Sequence, residues 1–318
     1  MMHTDFEYQP TRAFRRGELP AMSFGGERVE EVEDQPEAAE ESPLARDLAL
    51  ADSLDERGRG DAAKGRYRSA RVLHEQAMEL RRKHLGEADP RLMASFTWLG
   101  EISCREGLIE EARWLLQQAH AIACKRFAPD DLQLAATLHN LAVVTRRVGD
   151  LAEATQLGEQ ALAIKVEHLG WEHPSVARTL CTLGYLAHQS RRRRVALCYF
   201  ERARTIYEQT EGGVNRGLST VLVGMARVHV SMGAQVSARF LLERALQIRE
   251  AVDVTPAQSA GVRALLSEVL DADERTAAHA LATAALREYE CHESARSELL
   301  AHLRQLAQRR QSAGTHLN

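Results

Sequence analysis

Small and apolar residues recur along this 318-residue chain with a period of 42 positions. Alanines stand in one column at Ala70, Ala112, Ala154, Ala196 and Ala238, and seven positions on at Ala77, Ala119, Ala161, Ala203 and Ala245. Three further on comes an aliphatic column, Leu80, Ile122, Ile164, Ile206 and Ile248. Within a unit the apolar positions lie three and four apart, as in Tyr67, Ala70, Leu73, Ala77 and Leu80, which is the spacing of a helix burying one face. Gly65, Gly107, Gly149 and Gly233 mark a turn five residues before the first alanine column, and Arg191 breaks the set. The pattern predicts a helix over 66–84, then antiparallel pairs over 91–105 with 109–126, 132–147 with 151–168, 175–189 with 193–210, and 217–231 with 235–252. Such self-similarity predicts an all-α stacked array, each unit burying its apolar face only against its neighbours.

The array is expected over 44–291 in about six units, the first and last degenerate. Leu44, Leu48, Leu50 and Leu54 supply the first helix face, and DERGRGDAAKGRY, from Asp55 to Tyr67, reads as a long imperfect turn. LGEADP at 85–90 and LGWEHP at 169–174 end one helix and start the next, since glycine tolerates left-handed backbone and proline suits a first helical turn. In the last unit Ala278, Leu281, Ala285 and Leu286 repeat the spacing of Ala238, Leu241, Ala245 and Leu246 after 40 residues. A capping helix with Leu299, Leu300, Leu303 and Leu306 is expected within 292–318. Residues 1–43 hold four prolines and eleven acids against four arginines, with few apolar side chains, which predicts a disordered acidic tail.

Charge narrows the partners. The formal net charge is −4, but the tail alone carries −7, so the array is weakly basic and not suited to general polyanion binding, which argues against nucleic acid. No apolar run approaches the ~18 residues of a membrane span, and the N-terminus lacks a basic-then-apolar signal layout, so the expected location is cytoplasmic. Cys104, Cys124, Cys181, Cys198 and Cys291 lie far apart, with no CxxC pair and no zinc spacing, and read as free thiols rather than metal ligands. There is no GxSxG, HExxH or phosphate-cradling glycine loop, and the 13 histidines are scattered. The reading is a non-enzyme without cofactor.

The stretch TLHNLAVVTRRVGDLAEATQLGEQALAIKVEHLGWEHP at 137–174 resembles a tetratricopeptide repeat of the 42-residue kinesin light chain type, and GRYRSARVLHEQAMELRRKHLGEADP at 65–90 resembles its second half. A period near 42 also suits a HEAT-like array; the paired alanines, the inter-helix glycine and the Leu-Gly-x-x-His-Pro link recur together in the tetratricopeptide pattern. The resemblance implies a right-handed superhelical solenoid whose first helices line a concave groove for peptides.

Carried over residue by residue, the resemblance implies a groove lined by Thr97, Trp98, Glu101 and Arg105, then His139, Asn140, Val143, Arg146 and Arg147, then Arg178, Thr182, Tyr185 and Gln189, and last Thr220, Gly224 and Arg227. Asn140 takes the place where such repeats hold a ligand's main chain, while Trp98, Thr182 and Gly224 stand in the equivalent places. What remains is a wall of arginine forks with Trp98 and Tyr185 as apolar anchors, which suits a protein segment rich in Asp or Glu with one or two large apolar residues. Arg191, Arg192, Arg193 and Arg194 form a separate basic patch at a turn. The tail, with DFEYQP at 5–10, could itself lie in the groove and compete with partners. The expected function is a scaffold or adaptor that binds a partner segment. Two alternatives stay open: self-assembly into oligomers, and a regulatory or sensor subunit binding a signalling peptide or nucleic acid.

Overall fold

The computed structural model describes residues 42–210, 214–252, 256–270, 274–290, 300–301 and 303–308. The expectation of a disordered tail falls almost wholly outside these residues, as do Cys291 and Leu299.

Among the described residues six antiparallel helix pairs follow one another: α1 (Pro43–Ala63) with α2 (Tyr67–His84), α3 (Pro90–Glu106) with α4 (Ile109–Arg126), α5 (Leu132–Val148) with α6 (Leu151–Leu169), α7 (Pro174–Gln189) with α8 (Arg193–Thr210), α9 (Arg216–Ser231) with α10 (Gln235–Ala251), and α11 (Pro256–Val269) with α12 (Arg275–Glu290). No strand occurs among the described residues. All ten alanines of the two columns have 0% exposure. They sit where neighbouring helices approach most closely, and a larger side chain there would overpack the contact.

Each unit carries its own start and turn signals. The odd-numbered helices are capped by Asp89, Asp131, His173 and Asn215, themselves 42 residues apart, and each side chain accepts a hydrogen bond from a backbone N–H of the first turn. For His173 the acceptor is Nδ1, 3.1 Å from the Ser175 nitrogen. Such a bond satisfies a donor that the helix itself leaves open. Gly65, Gly107, Gly149 and Gly233 all have positive φ, between 78° and 108°. Arg191 adopts the same left-handed conformation, φ 59°, as the one non-glycine residue to do so among those described. In the inter-unit links Gly170 has φ 78°, whereas Gly86 is not among the positive-φ glycines.

The odd-numbered helices α3, α5, α7 and α9 also touch one another in succession, which places them on the inside of the curve. Burial agrees: α5 buries twelve of its seventeen residues, while α6 buries only Ala154, Gly158, Ala161 and Lys165. A further column sets the fit within pairs. Gly58, Gly100, Ala142, Gly184 and Ala226 on the inner helices lie sixteen residues before His74, Leu116, Gly158, Phe200 and Leu242. A β-carbon on Gly58, Gly100 or Gly184 would fall 2.7–2.8 Å from that partner's side chain. Where the outer residue is itself glycine, at 158, the inner one is alanine.

The first unit departs from expectation. Residues 55–63 are helical, not a turn, and Leu44 and Leu50 are exposed. The buried face of α1 is Ala51, Leu54, Asp55 and Gly58. The acid is tolerated there because Arg81 Nη1 donates to Asp55 Oδ2 and the His74 ring nitrogen Nδ1 lies 2.7 Å from Oδ1. Burial pushes the Asp55 carboxyl up, yet the His74 bond and the Arg81 charge outweigh it and hold the group below the usual carboxylate range. At the other end Leu303 and Leu306 pack with Ala260, Ala264, Ala282, Ala285 and Tyr289.

Candidate functional site: an arginine-rich inner wall

The inner wall divides into two chemically distinct parts. On α3 the groove residues are already engaged with one another. Arg105 Nη2 donates to Glu101 Oε1 at 2.9 Å and its guanidinium lies over the Tyr67 ring, while Trp98 stacks face to face on the buried His74, centroids 5.7 Å apart. Trp98, Glu101 and Arg105 are half-buried, and Thr97 is buried with its hydroxyl bonded to the Met93 carbonyl.

On α5, α7 and α9 the composition changes. These three adjacent helices carry Arg146, Arg147, Arg178, Arg216 and Arg227 together with His139, His188 and His229, and not one Asp or Glu. Arg146 is 5% exposed, yet it forms no ion pair among the described residues: Nη1 reaches Gln189 Oε1 at 3.3 Å, the guanidinium lies over the Tyr185 ring at 5.7 Å, and buried Nε has no hydrogen-bond partner. Burial pushes the Arg146 guanidinium below its ordinary value, and the nearby Arg147 charge adds to this. Arg227 is half-buried with its Nε equally unsatisfied, and His188 Nδ1 also lacks a partner. Burial, then the charges of Arg227 and Arg193, pull the His188 imidazole below its usual value. Isolated buried cations are costly unless something anionic meets them.

Several residues that the resemblance implied as ligand-facing are packed instead. Tyr185 is buried, donates its hydroxyl to the Thr220 carbonyl at 2.8 Å, and meets Phe200 edge-on at 5.0 Å. It braces α7 against α8 and α9 and is not an open anchor. His139, Asn140, Val143, Thr182 and Thr220 are buried as well, and Gly224 abuts Phe200 and Tyr185. His139 Nδ1 lies 3.3 Å from the Thr179 hydroxyl, to which the buried Lys165 also donates. Arg147 is turned back to α3, where it donates to the Cys104 carbonyl. Arg178 is half-buried and Gln189 exposed. The structure thus joins Arg146, Gln189 and Tyr185, with Arg227 within electrostatic reach of Tyr185 and His188, and sets the α3 residues apart as a self-satisfied group.

The Arg191–Arg194 run is exposed throughout. Arg193 Nε donates to Ser231 Oγ at 3.0 Å, which ties this turn to the end of α9. Cys104 and Cys181 are buried free thiols, Cys124 and Cys198 exposed ones. Among the described residues there is no metal-ligating cluster and no helix long and apolar enough to cross a membrane.

Tetratricopeptide repeat profiles match residues 91–165 and 175–251, and a second such profile matches 50–91. A search of curated proteins finds no match. Among solved structures, a Podosopora anserina protein of nearly identical kinesin light chain TPR-like repeats is 26% identical, with a TM-score of 0.51 over 65% of this chain and 98% of that one. BtubC (BKLC) from P. vanneervenii is 22% identical, with a TM-score of 0.52 over 78% of this chain and 92% of that one. The Rap conjugation gene regulator of plasmid pLS20, solved with the Phr* peptide, shares the fold with a TM-score of 0.60 at 16% identity, over 86% of this chain and 74% of that one. With its 42-residue units, its alanine columns and its capped helix pairs, the chain belongs to the tetratricopeptide repeat family, and its repeats are similar to those of kinesin light chain.

Proposed function

We propose that the chain is a non-catalytic scaffold that receives an acidic segment of a partner protein on the inner wall of α5, α7 and α9. The observation that carries this reading is Arg146: a guanidinium almost wholly out of water, on a wall of three helices without a single acid. A carboxylate entering between α5 and α9 would meet Arg146, Arg227 and His188 as donors, and charge-assisted bonds of this kind are about twice as strong as neutral ones. With Tyr185 packed away, the half-exposed Trp98 is the aromatic left on the wall for an apolar residue of the ligand. The Rap conjugation gene regulator, solved in complex with the Phr* peptide, shares this fold and lends support to peptide binding as a use of it.

The test is a titration of labelled peptides, rich in Asp and Glu with one Leu or Trp, against the wild type and an Arg178→Glu/Arg227→Glu variant. The variant should bind at least tenfold more weakly, and neutral Asn/Gln versions of the peptides should not bind. Equal affinity for wild type and variant would refute the reading.

A further inference from the structure

A second surface lies at the edge next to the groove, where the turn between α7 and α8 meets the turn between α9 and α10. Arg191, Arg192, Arg193 and Arg194 are all exposed there, and none makes an ion pair among the described residues. Arg191 holds a left-handed φ of 59° where the corresponding turns of four other units use glycine. Such strain in a side-chain-bearing residue is a cost that packing does not repay here, since the side chain points to solvent. Met232, exposed by 51%, stands beside the arginines, and α10, which begins three residues further on, exposes Val236 and Phe240 by 82% and 66%. Val236 and Phe240 are one helical turn apart and share a face of α10. Met232 lines the same depression as Arg191–Arg194 and Val195.

The repeat does not require these apolar residues. In the preceding units the place of Val236 is taken by Arg68, Glu110, Ala152 and Arg194, and that of Phe240 by Val72, Trp114, Gln156 and Cys198. Nor is the charge offset from α10, because Arg239 already engages Glu243 at 2.8 Å and Glu274 at 2.7 Å. The outcome is a projecting apolar row with four uncompensated guanidinium groups at its end.

We infer that this edge docks the protein on an anionic membrane surface. Side chains that protrude this far suit insertion between lipid headgroups, which need no preformed cleft, and a row of arginines meets a sheet of negative charge. Each arginine near such a surface strengthens partitioning about fivefold, an effect that fades when salt shortens the screening length. With an overall charge of −4 the chain as a whole is not drawn to such a surface, and at this edge the exposed arginine patch supplies the attraction.

Full-length protein is sedimented with vesicles of phosphatidylcholine alone, or with about one third phosphatidylserine, at low and high salt. The wild type should partition onto the anionic vesicles only, and high salt should release it. Arg192→Ser/Arg193→Ser/Arg194→Ser should weaken binding about a hundredfold, the same three arginines changed to Lys should restore most of it, and Val236→Ser/Phe240→Ser should weaken it at least tenfold. Melting curves of each variant, unchanged from the wild type, keep misfolding out of the comparison. Absence of binding to anionic vesicles, or binding that neither variant alters, overturns the inference. So does a synthetic peptide of residues 27–41, acidic and water-soluble, if it binds the wild type but not the serine triple variant while vesicles do not bind.

Discussion

Phe200 occupies the space beside Gly224 so fully that a β-carbon there would fall 2.5 Å from the ring edge. The ring also stands 2.8 Å from where a β-carbon on Gly184 would be, so two inner helices close on one fully buried aromatic of α8. Gly224→Ala should therefore destabilise the protein by about 1–3 kcal/mol through overpacking, in spite of the better helix propensity of alanine. Urea unfolding would show it as a lower midpoint at unchanged slope. A midpoint equal to or above the wild type would mean that Phe200 can move aside.

Arg191→Gly should act in the opposite direction. At φ 59° a side chain with a β-carbon carries strain of about 1 kcal/mol that glycine does not. The midpoint of unfolding should rise accordingly, and an unchanged or lower value would show that the Arg191 side chain makes a stabilising contact in solution.

Asp55 offers a test by pH. Its carboxyl lies between Arg81 and His74, and Asp55→Asn would leave buried Arg81 with Asp52 as its remaining acid, a loss of about 3–5 kcal/mol for a broken buried pair. Because the folded carboxyl titrates below its unfolded value, its contribution is complete above the unfolded pKa of 3.8 and disappears as pH falls through the folded one. The wild type should lose stability over that acid range more steeply than Asp55→Asn. Parallel acid-unfolding curves would refute the assignment.

Binding on the inner wall should take up protons. His188 is held below the usual imidazole range by burial and by Arg227 and Arg193, so it is largely neutral near pH 7 in the free protein. An incoming carboxylate favours the charged imidazole, which raises its pKa and makes affinity several-fold higher at pH 6 than at pH 8. Calorimetry in two buffers of different ionisation enthalpy would register the proton uptake. His188→Gln should abolish that uptake while leaving the arginine contribution, and undiminished uptake would count against the site.

Much of the fold could be read from the columns because the alanines, turn glycines and apolar positions each occur once per unit at a fixed offset. The caps at Asp89, Asp131, His173 and Asn215 also recur every 42 residues, but Asp, His and Asn in turn do not stand out as one column, and the small residues at 58, 100, 142, 184 and 226 acquire meaning only beside the partner sixteen residues on. In the first helix Asp55 and Gly58 look like turn residues until Arg81 and His74 are placed against them. At the groove the resemblance supplied positions but not depth. Tyr185 is a polar-tipped aromatic whose hydroxyl finds the Thr220 carbonyl inside the array, and Glu101 cancels Arg105 on the same helix. The absence of acids from α5, α7 and α9 was visible in the letters, but it became a wall only once those three helices were seen to touch.

The 42-residue segments from Asp89 onward to α10 each bring their own opening cap, their own reversal and their own fitted couple of inner and outer side chains. Lengthening or shortening such a rod by a whole segment joins like to like at the seam, so growth by duplication disturbs little. The chemistry displayed along the rod, in contrast, belongs to individual segments: one neutralises itself, three turn an acid-free inner helix to the groove, and one edge turns oily. A partner therefore meets an order of segments, and shuffling that order would keep the rod while erasing what it recognises.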